Sequence, residues 1–344
     1  MKSVVRHMLR AFLVLVIVVV TVPAGFRLWS AFRETTPSLS GEWVAASVVG
    51  GDTRLAYREW GNHDDPPVML IHGTLAWSQT WQVIAPQIAS AGFRVIAPDL
   101  PPFGYSQRPS NADYGRKAQA ARILAFADAL GLQRFDLVGH SFGGGATVET
   151  AFRSPDRING LVLLDVAMAW KSLGGGGPAV SLLSRVRPIQ TALMATTFTN
   201  PLMIGPGLRD FIADDSIVTD ERIELYRRPL AVEGTSAAVG DWLQSGLFGD
   251  ETTSLAADTT RYAGFEPPVL IIWGEVDTVT PLDQAKHLQS LFADAQLSVL
   301  PNVNHIPHVE APNQVAQLII DFLRSDRRDR LTDPKTGLRP ALGP

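Results

Sequence analysis

Short apolar runs recur through the chain at Val68–Ile71, Phe93–Ala97, Phe135–Val138, Leu161–Leu164, Val269–Ile272 and Leu297–Leu300, with a single polar residue, Arg94, Asp136 or Ser298, in three of them. Runs of this length without polar alternation suit strands covered on both faces. Helical patterns lie between them, notably Arg116–Leu130 and Val315–Leu323. Ahead of them, Val44–Val49 and Arg54–Trp60 flank Gly50-Gly51-Asp52 and read as an opening hairpin. The pattern predicts an α/β fold, a mostly parallel eight-stranded sheet with helices on both faces. Such a sheet places its ligands at the carboxyl ends of its strands.

The alternation stops after Asp165 and resumes at Pro267-Pro268-Val269. Residues 166–265 hold Gly174–Gly177 and short amphipathic pieces such as Glu221–Leu230. A structureless loop of that size is rare, so a helical lid inserted after the sixth strand is predicted, above the site. The core is then 42–165 and 266–324. Residues 27–41 mix Arg, Ser, Thr and Pro without period and read as a linker. Residues 325–344 are charged, then Pro- and Gly-rich, and read as a disordered tail.

Sixteen uncharged residues, Ala11 to Phe26, separate Arg10 from Arg27. As a helix they span roughly 24 Å, slightly less than a bilayer's hydrocarbon core, so flanking arginines would snorkel. Residues 1–26 therefore read as a membrane anchor through 11–26, with a cleaved signal sequence ending near Val22-Pro23-Ala24 as the competitor. Either reading puts the bulk of the chain outside the cytoplasm, membrane-anchored in the first case and secreted in the second.

With 46% hydrophobic residues the chain can bury a large core, and a formal charge of −4 gives no reason to expect nucleic acid. It contains no cysteine, which excludes disulfides, thiolate metal sites and a cysteine nucleophile. Oligomeric state is not encoded in any of these features.

The chemistry starts at Gly139-His140-Ser141-Phe142-Gly143, between the strand Phe135–Val138 and a helix-like run from Ala146. A serine flanked two residues away by glycines, at a strand-to-helix turn, is lifted above the sheet edge at a helix N-terminus. Serine needs a base, and the base needs an orienting acid. His305 and His308 follow the last apolar strand. His305, in the loop itself, is the expected base, and His308 is expected to begin or underlie the next helix. Asp277, past Ile272 and ahead of Thr280-Pro281, is the expected acid, with Glu275 and Asp165 as alternatives. The order Ser, Asp, His suits this sheet type. The oxyanion donors are expected to be the N–H groups of Phe142 and of Thr74, which follows His72-Gly73; Leu75 and His140 are the expected substrate contacts. His72 should hold its loop, and His63 and His287 should lie on the surface. Neither has a second ligand at metal spacing, so no metal and no cofactor is expected.

From about residue 42 to 324 the chain resembles the α/β-hydrolase superfamily. The resemblance rests on His72-Gly73, Pro98–Pro101 leading to Phe103–Ser106, Gly139–Gly144, Trp273-Gly274 with Asp277, and His305 with Pro307 and Glu310. Two positions depart from the family pattern: Pro102 and Asn304 stand where glycine is common. The resemblance implies a Ser141–His305–Asp277 triad. Serine at the elbow argues against dehalogenases and epoxide hydrolases, which carry aspartate there. Carbon–carbon bond hydrolases of ring-fission diketones use the same triad but commonly have tryptophan after the histidine, where this chain has Ile306. The expected activity is a serine esterase or lipase, cleaving a small-molecule ester or lipid-like acyl substrate. The alternatives are carbon–carbon hydrolysis and a catalytically silent binding protein.

Overall fold

A computed structural model describes residues 20–40, 46–168, 186–247, 249 and 251–332. Eight strands form one sheet: β1 (Ala46–Gly50), β2 (Thr53–Trp60), β3 (Pro67–Ile71), β4 (Arg94–Pro98), β5 (Phe135–His140), β6 (Ile158–Leu164), β7 (Val269–Gly274) and β8 (Ala295–Leu300). Their order is β1-β2-β4-β3-β5-β6-β7-β8. The β1–β2 and β2–β4 pairs are antiparallel and the rest parallel. The mostly parallel eight-stranded sheet expected from the apolar runs is the observed one.

Alternation along each strand divides the apolar runs between two cores. Met69, Ile71, Leu137, Leu161 and Leu163 face one layer, while Val68, Leu70, Val138, Val162 and Leu164 face the other. The helices, numbered in chain order, begin with α1 (20–33), α2 (Ala85–Ser90), α3 (Arg116–Ala129) and α4 (Gly143–Arg153). After β6 come α5 (Arg187–Thr196), α6 (Ile204–Phe211), α7 (Asp220–Arg227) and α8 (Thr235–Trp242). After β7 come α9 (Leu282–Leu291), α10 (Pro307–Glu310) and α11 (Pro312–Thr332). The first core is closed by Ile123, Phe126, Val148 and Leu288 of α3, α4 and α9. The second is closed by Ile88 of α2 with Val315, Ile319 and Leu323 of α11.

Two boundaries differ from the sequence pattern. Residues 27–33, assigned to a linker, complete α1, and no glycine or proline interrupts them. The final helix runs to Thr332, past residue 324, because the charged run after Leu323 is compatible with a solvated helix. Residues 333–344 of the expected tail, 169–185 of the insertion and 11–19 of the expected anchor lie outside the described residues. Among the described residues no helix is long and apolar enough to cross a membrane.

The chain leaving α1 docks on the inserted helices. Arg33 donates to the carbonyls of Leu230 at 2.5 Å and Thr199 at 3.0 Å. The Glu34 carboxylate accepts from the Ser236 N–H and hydroxyl.

Candidate active site

Because β3, β5, β6, β7 and β8 are adjacent and parallel, the residues that follow them emerge at one edge. At the end of β5, Ser141 has a φ of +50°, in the left-handed region. Its N–H donates to the Leu164 carbonyl at 3.0 Å, and its own carbonyl accepts from Gly144 and Ala167, both at 2.9 Å. These bonds hold the turn in a conformation that a serine rarely adopts. A Cβ at Gly143 would lie 2.3 Å from the His72 carbonyl, so only glycine lets α4 start this close to the β3 loop.

The structure brings Ser141, His305 and Asp277 together. Ser141 Oγ lies 2.7 Å from His305 Nε2, and His305 Nδ1 lies 2.9 Å from Asp277 Oδ2. All three side chains are buried. Asp277 Oδ1 accepts from the N–H groups of Val279 (2.7 Å) and Thr280 (2.9 Å), and Oδ2 also accepts from the Thr280 hydroxyl at 2.6 Å. Burial pushes this carboxyl up. The hydrogen bond from His305, the nearby Asp165 carboxyl, the charge of His305 and the hydrogen bond from Thr280 outweigh it, leaving Asp277 below the usual carboxylate range. Such an arrangement can take a proton from the serine hydroxyl and stabilise the imidazolium that forms.

The other histidines hold the frame. His72 Nδ1 lies 2.8 Å from the Gly73 carbonyl, and its Nε2 accepts from the Leu100 N–H at 2.8 Å. His140 places Nε2 2.8 Å from the His305 carbonyl, which makes Nε2 the protonated nitrogen. Its Nδ1 has no hydrogen-bond partner among the described residues, and burial, then the charge of His305, pull its pKa down to about 3. His140 therefore borders the cavity while fastening the loop that carries His305. His308, in α10, stacks on Trp81 with ring centroids 4.2 Å apart and is held neutral by burial. His63 is exposed, as is His287.

Thr74, Leu75, His140, Ser141, Phe142 and His305 all border one cavity of about 520 Å³. A Cβ at Gly73 would lie 2.9 Å from that of Ser141, so glycine brings the β3 loop against the serine. The far walls come from the insertion, through Phe198, Met203, Ile204, Leu208, Phe211 and Trp242. Asp210 is the one charged residue on the lining apart from the site itself, and no lysine or arginine borders it among the described residues.

Several contributors are invisible in the linear pattern. The His305 N–H donates to the Phe211 carbonyl at 3.1 Å, one of the carbonyls left open at the end of α6. Asn304 accepts from the Thr278 N–H at 2.9 Å and donates to the Asp210 carbonyl at 3.2 Å, bonds that a glycine could not make. Glu310 accepts from the N–H groups of Asn304 and Ile306. Glu275 accepts from the Asn302 N–H at 3.3 Å, away from the histidine. Asp165, Asp277 and His305 bring three potential ligand atoms within 4.8 Å of one another. The Asp277 oxygens and both ring nitrogens of His305 already face hydrogen-bond partners, so the set is a relay in form.

A family profile described as alpha/beta hydrolase fold matches residues 66–175. A 2-hydroxymuconate semialdehyde hydrolase of Pseudomonas sp. (strain CF600) is 33% identical over 303 residues, 84% of this chain and 95% of that protein. The solved meta-cleavage product hydrolase CumD from Pseudomonas fluorescens IP01 is 26% identical, with a TM-score of 0.68 over 82% of this chain and 98% of its own. A membrane phospholipase A, described as a bacterial virulence factor, is 25% identical, with a TM-score of 0.63 over 95% of this chain and 99% of its own. With that similarity spread over nearly its whole length, and the elbow, sheet order and strand-end loops described above, the chain belongs to the α/β-hydrolase superfamily.

Proposed function

We propose that the protein is a serine hydrolase that cleaves carboxylic esters or lipid-like acyl substrates through an acyl-enzyme on Ser141. His305 takes the Ser141 proton as the hydroxyl attacks the carbonyl. The oxyanion is held by the N–H groups of Phe142 and Thr74, and Asp277 steadies the imidazolium. The alcohol leaves with the proton from His305, and water repeats the sequence on the acyl-enzyme. Leu75 and the apolar wall from the insertion, acting as a lid, seat the acyl chain. Residues 11–26 tether the chain to a membrane with the catalytic domain outside the cytoplasm.

The observation that carries this reading is the relay at the edge of an apolar cavity bordered, among the described residues, by no cation. A neutral acyl chain needs no cationic partner there, and Asp210 is the one charge on the described lining apart from the site itself. The second reading, carbon–carbon hydrolysis of a ring-fission diketone, is favoured by the names of the relatives, a 2-hydroxymuconate semialdehyde hydrolase among them. A carboxylate-bearing dienoate such as the one another relative's name describes would have to bury its charge beside Asp210 without a partner, which is costly. Turnover of a nitrophenyl ester series, compared with release of the dienoate product from a ring-fission compound, separates the two. Preference for the longer esters supports the acyl reading, and faster cleavage of the ring-fission compound overturns it. Recovery of the full-length chain in the soluble fraction after lysis would overturn the tether.

A further inference from the structure

Behind the relay sits a second acid to which the mechanism above gives no role. Asp165 follows β6, is fully buried and has a φ of +41°, a strained conformation for a non-glycine residue. Its N–H donates to the Ile272 carbonyl at 3.1 Å, and its carbonyl lies 3.3 Å from the Thr280 hydroxyl, whose proton goes to Asp277. The strained backbone is thus fixed between β6 and β7. Side-chain Oδ1 accepts from the Gly274 N–H at 2.9 Å, while Oδ2 meets no donor among the described residues. A carboxylate oxygen of Asp165 lies within 4.8 Å of one of Asp277, whose carboxylate is itself an acceptor. Two facing carboxyls in a buried site share one proton, because both cannot be ionised side by side.

We propose that Asp165 is a positioning residue, protonated in the resting enzyme, which donates a hydrogen bond to Asp277 so that the pair carries one negative charge behind His305. This rests on the reading of Ser141, His305 and Asp277 as the working relay. The charged groups around Asp165 agree with it. Asp277 faces it from the loop after β7 and His305 from the loop after β8, and Glu310 of α10 adds a further negative charge. Burial, then Asp277, raise its pKa well above the carboxylate range. A proton held there satisfies the orphaned oxygen, keeps the charge on the acid nearest the imidazole and fixes the tilt of that carboxylate. Asp165 is thus no substitute for Asp277: the His305 Nδ1 bond goes to Asp277, and Asp165 supports it from behind.

Infrared difference spectroscopy and pH–rate profiles of Asp165→Asn and Asp165→Ala test this. At neutral pH the wild type should show the carbonyl stretch of a protonated carboxylic acid, shifted in D2O and absent from Asp165→Asn. Asparagine can still donate to Asp277 and accept from Gly274. Asp165→Ala can do neither, and should lose about tenfold in kcat with little change in KM, the scale of one hydrogen bond to a charged group. Asp165→Asn should recover most of that loss and keep the acid limb of kcat/KM at its wild-type position. Were Asp165 ionised, its removal would lower the acid limb by about one pH unit, since a neighbouring negative charge favours imidazolium. That shift, absence of the infrared band, or equal losses in the two variants would overturn the proposal. If Asp165→Ala fails to fold, the band and the Asp165→Asn profile still decide. If the wild type hydrolyses no ester or ring-fission compound, the proposed function fails, while the band still reports on the proton.

Discussion

The strand-end loops and the helical insertion are built from different physical materials. At the carboxyl edge of the sheet nearly every polar atom near Ser141 is spoken for: Asp277 accepts four hydrogen bonds from Val279, Thr280 and His305, and the His305 loop is held through its N–H, its carbonyl and its neighbour Asn304. The insertion contributes mostly apolar surface, and part of it faces water, with Leu202 61% and Met203 48% exposed. Fixed hydrogen-bonded geometry suits a site that must place charge within tenths of an ångström. Short helices with an apolar face suit a wall that seats an apolar ligand. On the proposed reading, reactivity lies in one region and selectivity in the other, so substitutions in the two should fail in different ways.

Ser141→Ala should have the largest effect, a loss of about 10⁶-fold in ester kcat, because the attacking atom is gone. Circular dichroism should show the fold intact. Asp277→Asn should follow, at about 10⁴-fold in kcat, because the amide favours the wrong His305 tautomer. Phe211→Ala should sharpen the contrast: kcat/KM for a long-chain ester falls about tenfold while that for an acetate ester changes less than about twofold, as lost apolar contact costs binding in proportion to the area removed. An equal loss on both esters would place Phe211 among the residues that hold His305 and blur the division.

The smallest effect is on stability, and it separates the regions by pH. Burial lowers the pKa of His72, His140 and His308, so below about pH 6.5 the unfolded chain binds protons that the folded chain refuses. Stability from this source is full above that pH and falls on acidification, for His140 down to about pH 3. Each histidine contributes at most about 1.4 kcal/mol per pH unit. Thermal melts at pH 7.5 and 5 should show the drop, and His308→Gln should reduce it. No histidine lies between Ser141 and Lys286, so hydrogen exchange should loosen first at the strand-end loops, not in the insertion.

How much of this was legible in the chain follows the same division. Strands such as Val68–Ile71 and Leu161–Leu164 announced themselves because burial on both faces leaves an unbroken apolar run. The Gly139–Gly143 elbow and the positions of Asp277 and His305 were legible because each lies just past such a run. The Thr280 hydroxyl on Asp277 was not, since it depends on the turn the loop after β7 adopts, nor was the Asn304 bridge from Thr278 to Asp210, which exists only once distant segments meet. The cavity walls were hidden for a different reason. Phe198, Phe211 and Trp242 sit on short helices whose packing, not their spacing, selects the face turned inward. The ends of α1 and α11 were missed because charged or mixed sequence without proline or glycine is as compatible with a solvated helix as with coil.

The most direct test of the central claim is mass spectrometry of the protein quenched during the burst phase of nitrophenyl ester turnover. The account predicts one acyl adduct, carried by the peptide containing Ser141, absent from Ser141→Ala and lost on chase with buffer. Turnover with no adduct under conditions that trap acyl-enzymes, or an adduct that persists in Ser141→Ala, would contradict it.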